Sequence, residues 1–352
     1  MPDSPRKTAR KRRIRWMKIE NFVRIIDGRL HTEPPVDAFA TIQFELSRLM
    51  SGDLFIDTQS SRQTLHAAID KGAYALVSTL PYVNEDTECA WIEVDSIETT
   101  LVRLLRYLIN EKHLRLFLFS PIQASLFEHL HTPKQLKRLK GDLVFIAKAI
   151  LQAKEDDAFY LSDDLLASKI APDVLRVPTV LSSLMPIRSK GIFLSSFNYR
   201  GYYFNEQKLP EHYVEECLSL LLFCDENSLA YALEQLTFCD HFYPQFITSS
   251  LMKKEFGMSD RALIFEPDVS LLPKHLAYLA HRVDPSTTVL CLPETTDFMP
   301  PIDTFKTLRF AAYAELKEAF TRIRFSYALI LGDKEAFEPF YTTSITQQPT
   351  LF

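Results

Sequence analysis

The alternation of short apolar runs with amphipathic segments constrains the fold of this 352-residue chain most strongly. Residues 73–78 and 89–94 have the length and apolar character of buried strands. Residues 97–109 place leucines at helical spacing on one face of a predicted amphipathic helix. Strands that alternate with helices in this way predict an α/β fold.

The same reasoning extends to the rest of the chain. Residues 192–199 and 201–204 predict a β-hairpin with its turn near Arg200 and Gly201. Further strands are predicted at residues 41–44, 114–119, 262–265, 288–292 and 327–331, and further helices at residues 19–26, 61–71, 134–154, 161–170, 211–223, 272–282 and 310–322.

Length and composition indicate several globular domains. A chain of 352 residues is too long for one typical core, and contents of 47% hydrophobic and 24% charged residues are ordinary for a globular protein. The pattern predicts an N-terminal α/β domain, a central α/β domain and a C-terminal Rossmann-like α/β domain between two tails. The predicted boundaries are 1–15 for a disordered basic arm, 16–111, 112–235 and 236–341 for the domains, and 342–352 for a flexible tail.

The cysteines and the hydropathy of the chain indicate its cellular compartment. Its five cysteines are odd in number, include no C-x-x-C pair and lack the spacing of a zinc site. They therefore indicate reduced thiols in a cytoplasm. No apolar stretch approaches the roughly 20 residues that a membrane span needs. We expect a cytoplasmic protein without a membrane span and without a bound metal.

The segment after the strand at residues 114–119 lacks the chemistry of a phosphate-binding loop. It begins Ser120-Pro-Ile-Gln-Ala-Ser-Leu-Phe-Glu and contains neither glycine nor lysine. A phosphate cradle needs glycines, so that backbone N–H groups can converge on the anion, and a lysine that reaches the outer phosphates. Nowhere in the chain does a glycine precede a lysine. The sequence therefore predicts no nucleotide cofactor and no catalytic residues for ATP-driven chemistry.

Three consecutive motifs between residues 41 and 110 resemble the Mur ligase family, whose ATP-driven members build the peptide of the bacterial cell wall. They are Ser47-Arg-Leu-Met-Ser-Gly-Asp-Leu-Phe-Ile56, Ala67-Ala-Ile-Asp-Lys-Gly-Ala-Tyr-Ala-Leu-Val77 and Glu93-Val-Asp-Ser-Ile-Glu98. Their order and spacing most resemble the branch that adds D-alanyl-D-alanine to a UDP-muramyl tripeptide. Residues 175–181 and 209–212 resemble central-domain segments of the family more weakly. The chain between them is too short to contain the magnesium-binding residues of the family, so the resemblance implies a shortened central α/β domain.

The resemblance implies a substrate-binding front end without the ATP machinery. In the family the Ser-Arg pair lies near the bound uridine nucleotide, so Ser47 and Arg48 are the candidate contacts for a UDP-sugar precursor. His66 is the candidate equivalent of a histidine in the family's glycine-containing loop, although both glycines are missing here. The resemblance thus predicts a catalytically degenerate protein of peptidoglycan precursor synthesis, which binds a UDP-muramyl peptide or a cell-wall enzyme. The alternative is a divergent ligase with an unrecognised nucleotide site.

The two tails suggest a third hypothesis. The basic arm at residues 1–15 is suited to non-specific contact with nucleic acid or anionic lipid. At the other end, Gln348, Leu351 and Phe352 form a Gln-x-x-Leu-Phe pattern that resembles the peptide by which bacterial replication proteins dock on the sliding clamp. In such a peptide the apolar pair fills a pocket. The fold would then serve as an interaction platform.

Overall fold

The computed structural model describes residues 17–83, 88–130, 136–180, 186–300 and 305–342. Its mixture of parallel sheets and covering helices confirms the predicted α/β class. The strands are β1 Met17–Lys18, β2 Arg29–Leu30, β3 Ala38–Phe39, β4 Ile42–Gln43, β5 Leu54–Ile56, β6 Ala75–Ser78, β7 Ala90–Glu93, β8 Arg115–Leu118, β9 Leu136–Arg138, β10 Ala158–Leu161, β11 Leu175–Arg176, β12 Arg188–Lys190, β13 Leu194–Tyr199, β14 Tyr202–Gln207, β15 Tyr243–Ile247, β16 Arg261–Glu266, β17 Thr288–Pro293, β18 Lys306–Phe310 and β19 Tyr327–Leu331.

The helices alternate with these strands through most of the chain. They are α1 Ile19–Ile26, α2 Arg62–Asp70, α3 Ile97–Glu111, α4 Pro121–His129, α5 Leu143–Gln152, α6 Asp164–Ile170, α7 Val214–Glu226, α8 Leu272–Arg282, α9 Tyr313–Arg322 and α10 Lys334–Phe337. The chain divides into an N-terminal unit, Met1–Leu118 with Leu136–Leu175, and a C-terminal unit, Phe119–Gln135 with Arg176–Phe352. The three-domain division from the sequence remains a prediction.

The N-terminal unit is built on a sheet with the strand order β2-β7-β6-β5-β4, in which only β2 is antiparallel to its neighbour. Its central strands β5 and β6 are buried at every position, as expected for a parallel sheet covered on both faces. One face packs against α1 and α3, and the other against α2 through Leu65 and Ala68.

A second parallel sheet of the N-terminal unit pairs β10 with both β8 and β9. The single helix predicted at residues 134–154 is therefore wrong, because Leu136–Arg138 forms β9 and only Leu143–Gln152 is helical. Gly141, with φ of 103°, breaks the chain, and the Asp142 side chain then caps α5 by accepting from the Phe145 N–H. The helix predicted from residue 161 likewise begins only after the Asp163 cap.

The end of α5 is held by one lysine side chain. The Lys112 ammonium donates to the carbonyls of Ile150, Leu151 and Ala153 at 2.8, 2.8 and 2.9 Å, at a helix end where carbonyls lack intrahelical donors. The Ile150 carbonyl also accepts from the Ala153 N–H at 3.2 Å. Burial lowers the pKa of Lys112, and the nearby Asp157 partly offsets this effect. We infer that Lys112 fixes the position of α5 against the rest of its unit.

Replacing Lys112 with methionine should therefore destabilise the N-terminal unit by about 1–3 kcal/mol, because three carbonyl groups lose their donor. Urea unfolding followed by the fluorescence of the buried Trp91 would measure this change. The matched control is Lys154→Met, which alters an exposed lysine of the same unit. Equal stability of the two variants would contradict the capping role.

The C-terminal unit contains a sheet with the order β15-β16-β19-β17-β18, parallel except for the edge strand β15. The predicted strands β16, β17 and β19 and the helix Leu272–Arg282 are present. The helix predicted from residue 310 begins only at Tyr313, since Phe310 ends the unpredicted strand β18. Within this unit Phe119 packs edge-on against Phe223, which joins the start of α4 to α7.

The predicted hairpin is formed by β13 and β14. Arg200 and Gly201 occupy its turn with φ of 48° and 83°, the paired positive values of a type I′ turn. All five cysteines are buried. In the described part of the chain, none of the helices combines the length and apolarity needed to cross a bilayer.

Candidate functional site

A tight loop before β5 positions the predicted Ser-Arg pair. Gly52 adopts φ of 92°, a conformation that glycine enters without steric cost. The buried Asp53 carboxylate accepts from the Thr41 hydroxyl at 2.7 Å and from the Met50 N–H at 3.0 Å. These bonds fix the chain that follows the 3-10 turn Leu46–Arg48, and so hold Arg48 in place.

Arg48 borders a cavity of about 370 Å³ in the N-terminal unit. The volume lies within the range of small-molecule sites. One wall comes from the segment around β3 and β4, and the other from α5. The wall residues include the apolar Met17, Phe39, Ile42, Phe44 and Leu151, the polar Thr41, Gln43 and Gln152, and the charged Glu45, Arg48 and Lys148.

The charged wall has one carboxylate between two cations. Glu45 accepts from Lys148 and forms an ion pair with the Arg48 guanidinium at 3.2 Å. The hydrogen bond and charge of Lys148, followed by the charge of Arg48, lower the pKa of Glu45. Two cations against one carboxylate leave a net positive charge at the cavity wall.

The three residues predicted from the resemblance are not brought together in one pocket. Arg48 lines the cavity, whereas Ser47 in the same turn and His66 on α2 are exposed and outside its wall. The loop that follows β5 is fixed instead by the fully buried Asp57, whose carboxylate accepts from the N–H groups of Gln59 and Ser61. The assignment of Ser47, Arg48 and His66 as ligand contacts remains a prediction.

Sequence reasoning missed Lys148. It lies 100 residues after Arg48, in a segment that the sequence analysis assigned to the central domain. The neighbouring residues of α5 show only that one face of the helix is apolar. No local motif marks the lysine. Only the packing of α5 within the N-terminal unit brings it to Glu45.

The start of α4 does not fit a triphosphate. Ser120 accepts from the Gln123 N–H at 3.1 Å, and the Gln123 side chain accepts from the Ser120 N–H at 2.9 Å, which is a reciprocal capping box. Pro121 supplies no N–H at all. Of the N–H groups that a phosphate would need at this helix start, Pro121 supplies none, and those of Ser120 and Gln123 are already bonded within the chain.

Two other predictions concern residues that the structure does not describe. The basic arm at residues 1–15 and the tail residues Gln348, Leu351 and Phe352 lie outside the described residues. Within the described ranges, no cluster of three histidine, cysteine or acidic side chains is arranged to hold a metal ion.

Comparisons with known proteins find likeness in structure and none in sequence. No protein-family model and no curated protein matches the chain. A structure of MurF from Acinetobacter baumannii is 11% identical, with a TM-score of 0.53 over 93% of this chain and 98% of that one. MurF from Thermotoga maritima, solved in complex with ADP, is 12% identical, with a TM-score of 0.51 over 82% of this chain and 93% of that one.

The chain therefore has a Mur-ligase-like fold, which confirms the resemblance drawn from the motifs at residues 41–110. Among the solved structures that share it are the MurF proteins of A. baumannii and T. maritima. At 11–12% identity this likeness establishes the fold alone.

Proposed function

We propose that this protein binds a UDP-muramyl peptide in the cavity beside Arg48 and serves peptidoglycan precursor synthesis as a binding or regulatory protein, without ATP-driven ligation. The observation that carries the proposal is the pairing of Arg48 and Lys148 around a single carboxylate in a Mur-ligase-like N-terminal unit. One fold neighbour is named as a ligase of a UDP-N-acetylmuramoyl peptide, which suggests the substrate class. The capped start of α4 argues against the reaction.

The charges of the cavity suit an anionic ligand with an apolar part. A diphosphate would compete with Glu45 for the two cations, and arginine binds such oxygens through two parallel hydrogen bonds. The apolar wall, which includes Phe39 and Phe44, offers contact area for a ring. The net positive charge favours an anion over a neutral ligand of the same size.

The absence of ligation follows from what phosphoryl transfer requires. The transferring group needs magnesium and cationic clamps, and most of the rate acceleration comes from that electrostatic stabilisation. At the position of the ATP loop this chain places a proline and a closed capping box. A divergent ligase would need a nucleotide site elsewhere, and ATP titration tests that alternative.

Calorimetric titration of the full chain with UDP-muramyl tripeptide should show saturable binding. Arg48→Ala and Lys148→Ala should each weaken it about tenfold, because each removes one charge-assisted hydrogen bond of roughly 1.5 kcal/mol. Arg24→Ala, which alters an exposed arginine on α1 outside the cavity, is the matched control and should bind normally. Failure of the unmodified chain to bind, or equal binding by all variants, would refute the assigned cavity.

A second titration with ATP and magnesium separates binding from catalysis. We expect no saturable heat, with or without the muramyl precursor. Magnesium-dependent ATP binding would instead favour the divergent ligase.

A further inference from the structure

A buried carboxylate in the C-terminal unit organises a set of histidines that the proposed function does not use. Glu266, at the end of β16, is fully buried, as is His275 on α8. The Glu266 carboxylate lies 2.6 Å from Nε2 of His275 and 2.7 Å from Nδ1 of His241. It also accepts from the N–H groups of Phe242 at 3.2 Å and Asp268 at 2.8 Å. Four donors thus converge on one ionised carboxylate.

These bonds determine where the protons lie along a chain of two imidazoles. Nε2 of His275 must carry a hydrogen to donate to Glu266, so Nδ1 of the neutral ring is an acceptor. That nitrogen lies 3.1 Å from Nε2 of His212, which must therefore be the donor. The Tyr213 hydroxyl, 3.4 Å from His275 Nε2, is too distant to compete with the carboxylate. Nδ1 of His212 is left without a hydrogen.

The relay formed by Glu266, His275 and His212 ends in an acceptor, Nδ1 of His212. This nitrogen is buried and makes no hydrogen bond to the residues that the structure describes. Its ring stacks on Tyr278, with centroids 4.1 Å apart, and borders a cavity of about 460 Å³. A buried acceptor without a donor is unfavourable, so a molecule that donates a hydrogen bond to it is favoured on binding.

The charges around this cavity nearly cancel. Lys274 is paired with Glu216, and Arg282 with Glu211, the residue that precedes His212. Such a wall disfavours a ligand with a large net charge but offers both donors and acceptors. The aromatic faces beside it provide apolar contact area.

We propose that this cavity binds a small, neutral, hydroxyl-rich molecule such as a sugar ring, with one hydroxyl donating to Nδ1 of His212. Because Nδ1 is buried in the free chain, the cavity wall beside His212 must open when the ligand enters. Glu266 and His275 act as positioning residues, since they hold His212 in the tautomer that accepts.

Imidazole ¹⁵N NMR of the full chain tests both the protonation of His212 and the binding of the ligand. Nδ1 of His212 should show the shift of an unprotonated nitrogen and should move saturably with D-glucose, whereas sodium acetate and ethylammonium chloride should leave it unchanged. A hydrogen on Nδ1 would overturn the relay. No saturable response to glucose up to high millimolar concentration, or an equal response to the two ions, would overturn the ligand class.

Variants at His212 separate the acceptor from the ring. Asparagine places an oxygen near the position of Nδ1, so His212→Asn should retain part of the glucose binding, measured by saturation transfer to the sugar. His212→Phe keeps an aromatic ring without an acceptor and should weaken binding at least tenfold. Equal binding by the two variants would overturn the role of Nδ1. If either variant fails to fold, the titration of the unmodified chain still decides.

Discussion

Replacing Glu266 with alanine is expected to lower the free energy of unfolding of the C-terminal unit by about 3–5 kcal/mol, the cost of breaking a buried, hydrogen-bonded charge cluster. The substitution leaves His275, His241 and the N–H groups of Phe242 and Asp268 without their shared acceptor. Because each unpaired buried donor costs free energy, the loss far exceeds that of removing one surface ion pair.

Hydrogen exchange read by mass spectrometry is the suitable measurement, because a chain of two units need not unfold in one step. Peptides that cover β16 and α8 should exchange faster in Glu266→Ala, while peptides from β5 and β6 in the N-terminal unit should not change. Glu255→Ala, which removes an exposed carboxylate of the same unit, is the control. A variant as stable as this control would show that the cluster contributes little.

Much of the fold could be predicted from the sequence, because its central strands and amphipathic helices have distinct periodicities. The turn at Arg200 and Gly201 and the helix Leu272–Arg282 were placed correctly from local residues alone. Among the strands that were not predicted, β9 and β18 are short and carry charged residues, and β10 lies directly before a helix, where an apolar run fits either structure. Their pairing with distant strands decides the conformation.

The candidate sites were less predictable, since their residues meet only after folding. The Ser-Arg motif led to Arg48, but nothing near Lys148 in the sequence signals its contact with Glu45. The same holds for the contact between His212 and His275, which are 63 residues apart. Residues 209–212 resemble a family segment only weakly, and the helix that contains His275 shows a purely structural pattern. A histidine within an apolar helix is most simply interpreted as core, and only the distances to Glu266 separate a relay from packing.

The two candidate sites are expected to bind their ligands independently of each other. The cavity beside Arg48 lies in the N-terminal unit, and the histidine relay lies in the C-terminal unit, so variants at one should leave the ligand of the other unaffected. Loss of muramyl-peptide binding in Arg48→Ala with normal His212 NMR shifts would demonstrate this independence. The fold would then present two separate binding surfaces in place of one catalytic centre.

Acid is expected to destabilise the C-terminal unit from about pH 6.5 downwards. Burial, followed by the charges of His275 and Lys274, lowers the pKa of His212 to about 2, and burial also lowers the pKa of His275 against the opposing effect of Glu266. Below about pH 6.5 the unfolded chain therefore binds protons that the folded chain does not, and the free energy of unfolding falls. The loss from His212 should be about 1.4 kcal/mol between about pH 7.5 and pH 5.5, and the lowered pKa of His275 adds to it.

Glu266 should add a second phase at lower pH. Burial alone would raise its pKa, but the hydrogen bonds from His241 and His275 outweigh this effect and lower the pKa to about 2. Its contribution is complete above about pH 4.3, the pKa in an unfolded chain, and is lost as the pH falls towards 2. The acid sensitivity of this unit therefore has two origins that differ in their pH range.

A single substitution separates them. His212→Gln keeps an amide donor for His275 but cannot titrate, so it should remove the contribution of His212 to the stability loss between about pH 7.5 and pH 5.5 and leave the phase below about pH 4.3 in place. His113→Asn, at an exposed histidine of the N-terminal unit, should change neither phase. Hydrogen exchange of β16 and α8 across this range provides the measurement. If His212→Gln lost as much stability between about pH 7.5 and pH 5.5 as the unmodified chain, His212 would already be charged in the folded protein.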